Sequence, residues 1–188
     1  MQAPVLSDRT IRMYNQKGIL IENPLEENQL QPNSVDLTLA PYWSKINHPV
    51  TRVIDVRKNI EYLNGAFLKN ADGESYYDIT PGEFVLMASR EILNIPNGII
   101  AFVQGRSSIA RLGIQTEQAG LVDAGFRGTI TFEVYNQTKN TIRLYEKMRI
   151  AQLYFFIAQE AERPYGSDRG SKYNGQILPT GSNIHSDV

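Results

Sequence analysis

The chain's candidates for chemistry are concentrated in residues 105–133, GRSSIARLGIQTEQAGLVDAGFRGTITFE. Arg106, Ser107, Ser108 and Arg111 put two guanidiniums and two hydroxyls within six residues, a set that suits an anion at the start of a helix. A capped surface helix with two solvated arginines would have the same composition. Asp123 sits in VDAGFRG, a glycine-bounded turn, where an aspartate either bonds its own backbone or accepts a hydrogen bond from a ligand hydroxyl. Phe126, three residues on, is either core or a platform beneath a sugar ring. Glu133 lies in TITFEVY, where Ile130, Phe132 and Val134 alternate with Thr129, Thr131, Glu133 and Tyr135. On an outer sheet face it is a solvated charge, and lining a cleft it becomes a general base.

Composition removes most other chemistries. With no cysteine and two histidines, the His/Cys/Cys or three-cysteine set of a zinc deaminase cannot be assembled, and a cysteine nucleophile is excluded. A Ser-His-Asp triad would need His48, beside Pro49, or His185, near the C-terminus, and both read as surface residues. Catalysis falls to carboxylates, hydroxyls and cations. A net charge of -1 gives no footprint for nucleic acid or a membrane surface. The longest apolar run, Leu153 to Ala158, is too short to span a bilayer, and MQAPVLSDRT has no signal-peptide pattern. A cytoplasmic protein is the expectation.

The elements that must position these residues read as follows. The 188 residues suit one domain with a sizeable core. Ser7 is a candidate N-cap for a helix over Asp8 to Lys17 closed by Gly18, although Thr10 stands where a capping box needs Glu or Gln. In NSVDLTL, Val35, Leu37 and Leu39 alternate with Asp36 and Thr38, predicting one buried and one polar face. Pro81-Gly82 and Pro96-Asn97-Gly98 mark turns before strands at Phe84 to Ala88 and Ile99 to Val103. Thr129 to Tyr135 and Arg149 to Ile157 also read as strands. Short strands between Gly, Pro and Asn turns predict an all-β sandwich or barrel with few helices. From Glu160 the chain turns polar and glycine-rich, which fits a frayed tail or a lid that orders over a ligand.

LSDRTI, QPNSVDLTL, PGEFVLMAS, IPNGIIAFVQGRSSIARLG, AGLVDAGFRGTITFEVYN, RIAQLYF and PYGSDRGSKYNGQ, in this order and spacing, resemble the dCTP deaminase branch of the dUTPase superfamily over nearly the whole chain. GRSS and VDAGF are elements shared with dUTPases. Glu133 and SKYNGQ look like the deaminase form, since dUTPases usually carry an apolar residue at the former and a glycine-rich ending at the latter. The resemblance implies a mostly β, distorted barrel or jelly-roll-like dUTPase fold with a few short helices. It also implies one domain over 1–188, with 160–188 as a C-terminal lid.

The implied activity is zinc-free hydrolytic deamination of dCTP to dUTP and ammonia. Glu133 would be the base, with Ser107 and Arg111 holding the water and stabilising charge. Asp123 resembles the acceptor of the sugar 3′-hydroxyl, and Phe126 the aromatic under the deoxyribose. Arg106, Ser107, Ser108, Tyr165, Lys172 and Gln176 would meet the triphosphate, and Gln152, Thr131 and Phe132 complete the nucleotide-binding set. Mg²⁺ would be held by the phosphates and water, with no protein-held metal. The sites would lie between subunits of a homotrimer. IQTEQAGLVD lacks the histidine common in deaminases and runs one residue shorter than some, which bears on base recognition and on feedback by dTTP-like nucleotides. Ala119-Gly120 resembles members that continue to dUMP and diphosphate, the supply for thymidylate synthesis. Glu146-Lys147, where the family often has Pro-Gly, and Ala151, where it often has Gly, look like tolerated changes. A dUTPase lacking deaminase activity and a non-catalytic nucleotide sensor are the competing readings.

Overall fold

A computed structural model describes residues 4–47, 53–117, 120–166 and 170–187, with Glu117 described for its backbone alone. His48 and Ala119 therefore lie outside the described residues. Helix α1 (Asp8–Asn15) ends two residues before the predicted Lys17, where the Lys17 N–H turns to the Tyr14 carbonyl at 3.0 Å. Ser7 is the N-cap residue, but its hydroxyl lies 3.4 Å from the Thr10 hydroxyl and caps no backbone N–H. Short strands β1 (Leu20–Ile21) and β2 (Leu30–Gln31) precede the long β3 (Ser34–Ile46). Next come β4 (Tyr62–Ala66), β5 (Leu68–Lys69), β6 (Ser75–Ile79), β7 (Phe84–Asn94) and β8 (Ile99–Gly105). A four-residue helix α2 (Ser107–Ala110) leads to β9 (Ile114–Glu117), β10 (Leu121–Val122), β11 (Arg127–Asn136), β12 (Ile142–Tyr145) and β13 (Arg149–Ile157).

Among the described residues, ten of these strands form one sheet in the order β10-β8-β13-β3-β7-β11-β9, with β1 on β7 and β2 and β4 on β3. The other three, β12-β6-β5, form a small second sheet. Strand β3 serves both halves of the large sheet. Its first part pairs with β13 and its later part with β7 and β4, across a register shift between Leu39 and Trp43. The sheet curls there around Leu37, Leu39, Met87, Phe132, Leu153 and Phe155, all buried. The mostly β architecture with few short helices is as expected.

One face prediction fails. The alternate residues of β3 are buried too, with Asp36 at 0% and Thr38 at 5% exposure. They tolerate burial because they are paired. The Glu91 carboxylate accepts from the Thr38 N–H at 2.9 Å, the Thr38 hydroxyl at 2.6 Å and the Gln29 amide at 2.8 Å. Asp36 sits between Arg106 and Arg149. At the start of β7, burial alone would raise the Glu83 carboxyl, but bonds from Lys45, Tyr77 and Thr80 outweigh it and hold the carboxyl below its ordinary range.

The Glu146-Lys147 turn explains why glycine suits that position. Lys147 has φ +66, a left-handed conformation that an L side chain adopts at a cost of about 1 kcal/mol. Its N–H bonds the Leu39 carbonyl at 2.9 Å, which fixes the backbone there. Replacing Lys147 with Gly should raise unfolding stability by roughly 0.5 kcal/mol after the entropy cost of glycine is subtracted, read as a shift in the urea midpoint without a change in slope.

Candidate active site

A cavity of about 860 Å³ opens on the face of β11 opposite the core. Its floor is Ile130, Thr131, Phe132 and Glu133 of β11 with Phe84 and Leu86 of β7, and the cross-strand register places Glu133 opposite Leu86. One end is the segment from Gly120 to Phe126. Ile46, Ile60 and Tyr62 also line the cavity, and the tail contributes a roof of Tyr165, residues 170–173, Gln176 and residues 180–182.

Strand β11 does not alternate as its sequence predicts. A register shift between Thr129 and Thr131 breaks the pairing with β7. Thr129, expected on the outer face, is buried at 4%, and Ile130, expected with the core, lines the cavity. Beyond the shift the alternation is regular: Phe132 and Val134 are buried, while Thr131, Glu133 and Tyr135 are half-buried. The Ile130 N–H is satisfied by the Ser89 hydroxyl oxygen at 2.9 Å, and that hydroxyl donates to the Glu91 carbonyl at 2.8 Å.

The tail pairs with β11 on its other edge, beyond the end of β9, which covers only Glu133 to Asn136. The Thr129 N–H donates to the Gln176 carbonyl at 2.9 Å, and the Gln176 amide donates to the Thr129 carbonyl at 2.7 Å. The Tyr165 N–H reaches the Ala124 carbonyl at 2.8 Å, the Gly175 N–H reaches the Arg127 carbonyl at 2.6 Å, and the Thr180 N–H reaches the Thr131 hydroxyl at 3.2 Å. Three tyrosines brace the roof from their hydroxyls. Tyr165 accepts from the Tyr173 N–H at 3.1 Å, Tyr173 from the Asn183 N–H at 3.0 Å, and Tyr62 from the Ser182 N–H at 2.9 Å. Lys172 pairs with Asp187. These bonds dock the described residues of the tail on β11, the Asp123 turn and Tyr62. His185, expected at the surface, is half-buried within the tail.

Two glycines of VDAGFRG make the docking possible. Gly125 (φ +93) faces the backbone of Tyr165 and the ring of Pro164, where a Cβ would come within 2.9 Å of the Pro164 Cβ. At Gly128 (φ +144) a Cβ would lie 2.7 Å from the Gln176 carbonyl oxygen. Both need the absence of a side chain, and both favour a left-handed backbone.

The cavity therefore gathers Gly120, Asp123, Phe126, Thr131, Phe132, Glu133, Tyr165, Lys172 and Gln176 from the sequence-derived set. The Asp123 turn is closed by its main chain, the Phe126 N–H bonding the Asp123 carbonyl at 3.2 Å, and the side chain stands exposed on the rim. Phe126 and Tyr165 pack as tilted rings 5.9 Å apart, forming an apolar wall beside Asp123. A Cβ on Gly120 would meet only ordinary contacts at 3.8 Å and beyond, so this glycine widens the cavity without being required by packing.

Five predicted residues are not brought to this cavity by the same chain. Ser107, Ser108 and Arg111 are exposed on and beside α2, and Arg106 and Gln152 are half-buried near it. Tyr173, a tail residue that the lid reading also used, lines the cavity as well, and Ile60, Tyr62 and residues 180–182 line it without having been singled out. Ser182 and Gly181 dock on Tyr62 across 120 positions of sequence, a contact that no local pattern signals.

Comparison with known proteins identifies this arrangement. Residues 5–158 match the family model of dCTP deaminase-like proteins, and the chain belongs to that family. It is 42% identical over 184 residues to a protein of Sulfurihydrogenibium sp. (strain YO3AOP1) named dCTP deaminase, dUMP-forming, covering 97% of this chain and 98% of that one. A protein of the same name from Aquifex aeolicus (strain VF5) is 40% identical over 183 residues, covering 97% and 96%. The crystal structure of 2′-deoxycytidine 5′-triphosphate deaminase from Agrobacterium tumefaciens superposes with a TM-score of 0.63 at 26% identity. That match covers 82% of this chain and 48% of the other, so this chain spans about half its length.

The docking of the tail yields a prediction. Gly125→Ala should free residues 160–188 to limited proteolysis and weaken nucleotide binding by about tenfold or more, while the core unfolds within a few degrees of the parent. Unchanged protease resistance would show that the close approach at Gly125 does not hold the tail.

Proposed function

We propose that the chain deaminates dCTP and carries the product on to dUMP and diphosphate. The observation that carries this reading is the position of Glu133, half-buried on the floor of a cavity closed by the tail and flanked by Asp123, Phe126 and Tyr165. Its relatives named dCTP deaminase, dUMP-forming, match it over nearly their whole length.

Glu133 takes a proton from water, and the hydroxide adds to C4 of cytosine. Glu133 passes that proton to N3, then takes the proton of the new C4 hydroxyl and delivers it to the amino nitrogen, so that the C4–N bond breaks, C4=O forms and ammonia departs. Asp123 accepts a sugar hydroxyl while Phe126 packs under the ring. A second water attacks the phosphate chain of dUTP, giving dUMP and diphosphate. Lys172, Tyr165 and Gln176 close over the phosphates from the tail. A dTTP-like nucleotide, with the same sugar and phosphates, fits the same cavity.

Ser107 and Arg111 have roles beside the base, yet the same chain does not bring them to its own cavity. A second copy supplies them in this reading, together with Arg106, Ser108 and Gln152 at the phosphates, and the assembly is a homotrimer with sites between subunits. An apolar face supports this: Phe102 and Leu121, paired across β8 and β10, are 41% and 49% exposed, and Phe102 meets Phe156 edge to face at 5.4 Å. Mg²⁺ fits as an ion carried on the triphosphate. The cavity's two carboxylates, Asp123 and Glu133, serve the sugar and the base in this reading, which leaves phosphate oxygens and water as the ion's main ligands.

The test is chelator-treated protein supplied with dCTP and Mg²⁺. Ammonia and dUMP are expected in equal amounts. Accumulating dUTP would remove the second step, and intact dCTP beside hydrolysed dUTP would remove the first. Glu133→Gln should retain dCTP binding while ammonia release falls by roughly 10²- to 10⁴-fold, and near-normal turnover would overturn the assigned base.

A further inference from the structure

Asp36 belongs to neither the core nor the cavity, yet it is fully buried. Its Oδ2 accepts from Arg106 Nη2 and from Arg149 Nη1, each at 3.2 Å. Its Oδ1 is also buried and takes no hydrogen bond among the described residues. Arg106 leans on the same spot in two other ways: Nη1 lies 3.4 Å from the Arg149 carbonyl and the backbone N–H is 3.2 Å from the Ile150 carbonyl. Arg149 is anchored further by the Asn28 carbonyl at 2.7 Å. The ladder places Asp36 opposite Gln152, and Gln152 opposite Gln104, two residues before Arg106.

We propose that Asp36 is a positioning residue that holds the Arg106 guanidinium ready for the phosphate end of the nucleotide, an inference that rests on the functional reading above. Buried ion pairs are weak sources of stability, and a carboxylate with one oxygen unsatisfied is weaker still, so structure alone gives little reason for this one. The charge count gives a better reason. One carboxylate faces two guanidiniums, which leaves one positive charge in excess, and the side chains of Arg106 and Arg149 are 23% and 36% exposed. The excess faces outward beside Ser107 and Ser108, where an anion would balance it. Arg106 is also the N-cap residue of α2, so fixing one Nη sets the plane of the fork relative to those hydroxyls. A long side chain ordered beforehand loses less freedom when the ligand arrives.

Asp36→Asn keeps the shape and removes the charge. In steady-state assays with dCTP, KM should rise by about tenfold or more while kcat falls by less than about threefold, and the KM effect should vanish in an Arg106→Ala background. If Asp36→Asn raises KM by the same factor in both backgrounds, or lowers kcat at constant KM, the residue does not act through Arg106 and the inference fails. If Arg106→Ala leaves KM unchanged, phosphate recognition by Arg106 itself is wrong, which separates failure of the functional reading from failure of the positioning role. Should Asp36→Asn not fold alone, Asp36→Asn with Arg149→Gln removes the second buried guanidinium and gives the same KM comparison.

Discussion

Between Thr129 and Thr131 the pairing of β11 with β7 slips and leaves Ile130 without a register partner, while on the other edge β9 pairs β11 only from Glu133 to Asn136. The site follows from how the main-chain groups of Thr129 and Ile130 are satisfied. Ser89 takes the Ile130 N–H from beneath, and Gln176 takes both the N–H and the carbonyl of Thr129 from above. A buried amide left unpaired would be costly, so Ser89 at the slip and the tail along the open edge of β11 each satisfy main-chain groups that the sheet leaves over. Beyond the slip, Thr131 and Glu133 follow Ile130 along the cavity.

Much of this was legible in the residues. Strand positions for β7, β8, β11 and β13 follow from alternation and from turns at Pro81-Gly82 and Pro96-Asn97-Gly98, and the structure places strands there. Glu133 was legible as a charge on the side of β11 away from Phe132 and Val134. What alternation cannot see is a register slip, because it inserts an offset without changing residue types. Thr129, buried at 4% where the outer face was expected, was misplaced for that reason. Asp36 and Thr38 were misread as a solvated face because their partners Glu91, Arg106 and Arg149 lie 53 to 113 positions away. A pattern within seven residues carries no information about pairing at that range.

The tail shows the same division. Its glycines and tyrosines fit both a frayed end and an ordered cover, and the decisive features lie elsewhere in the chain. They are the bare backbone at Gly125 and Gly128, the edge of β11 left open at Thr129, and the Tyr62 ring under Gly181. The charged residues divide in space as well. Glu133, Asp123 and Lys172 border the cavity, whereas Arg106 and Arg111 stand with α2 outside it. In the proposed reaction, which uses both groups, a second copy of the chain brings them together.

The most direct measurement is a crystal structure of the Glu133→Gln variant with dCTP and Mg²⁺. The account predicts the cytosine amino-bearing carbon within about one water of the residue 133 side chain, with Ser107 and Arg111 of a neighbouring copy closing around the same base. A base seated away from residue 133, or a cavity filled without any contribution from a second copy, would contradict it.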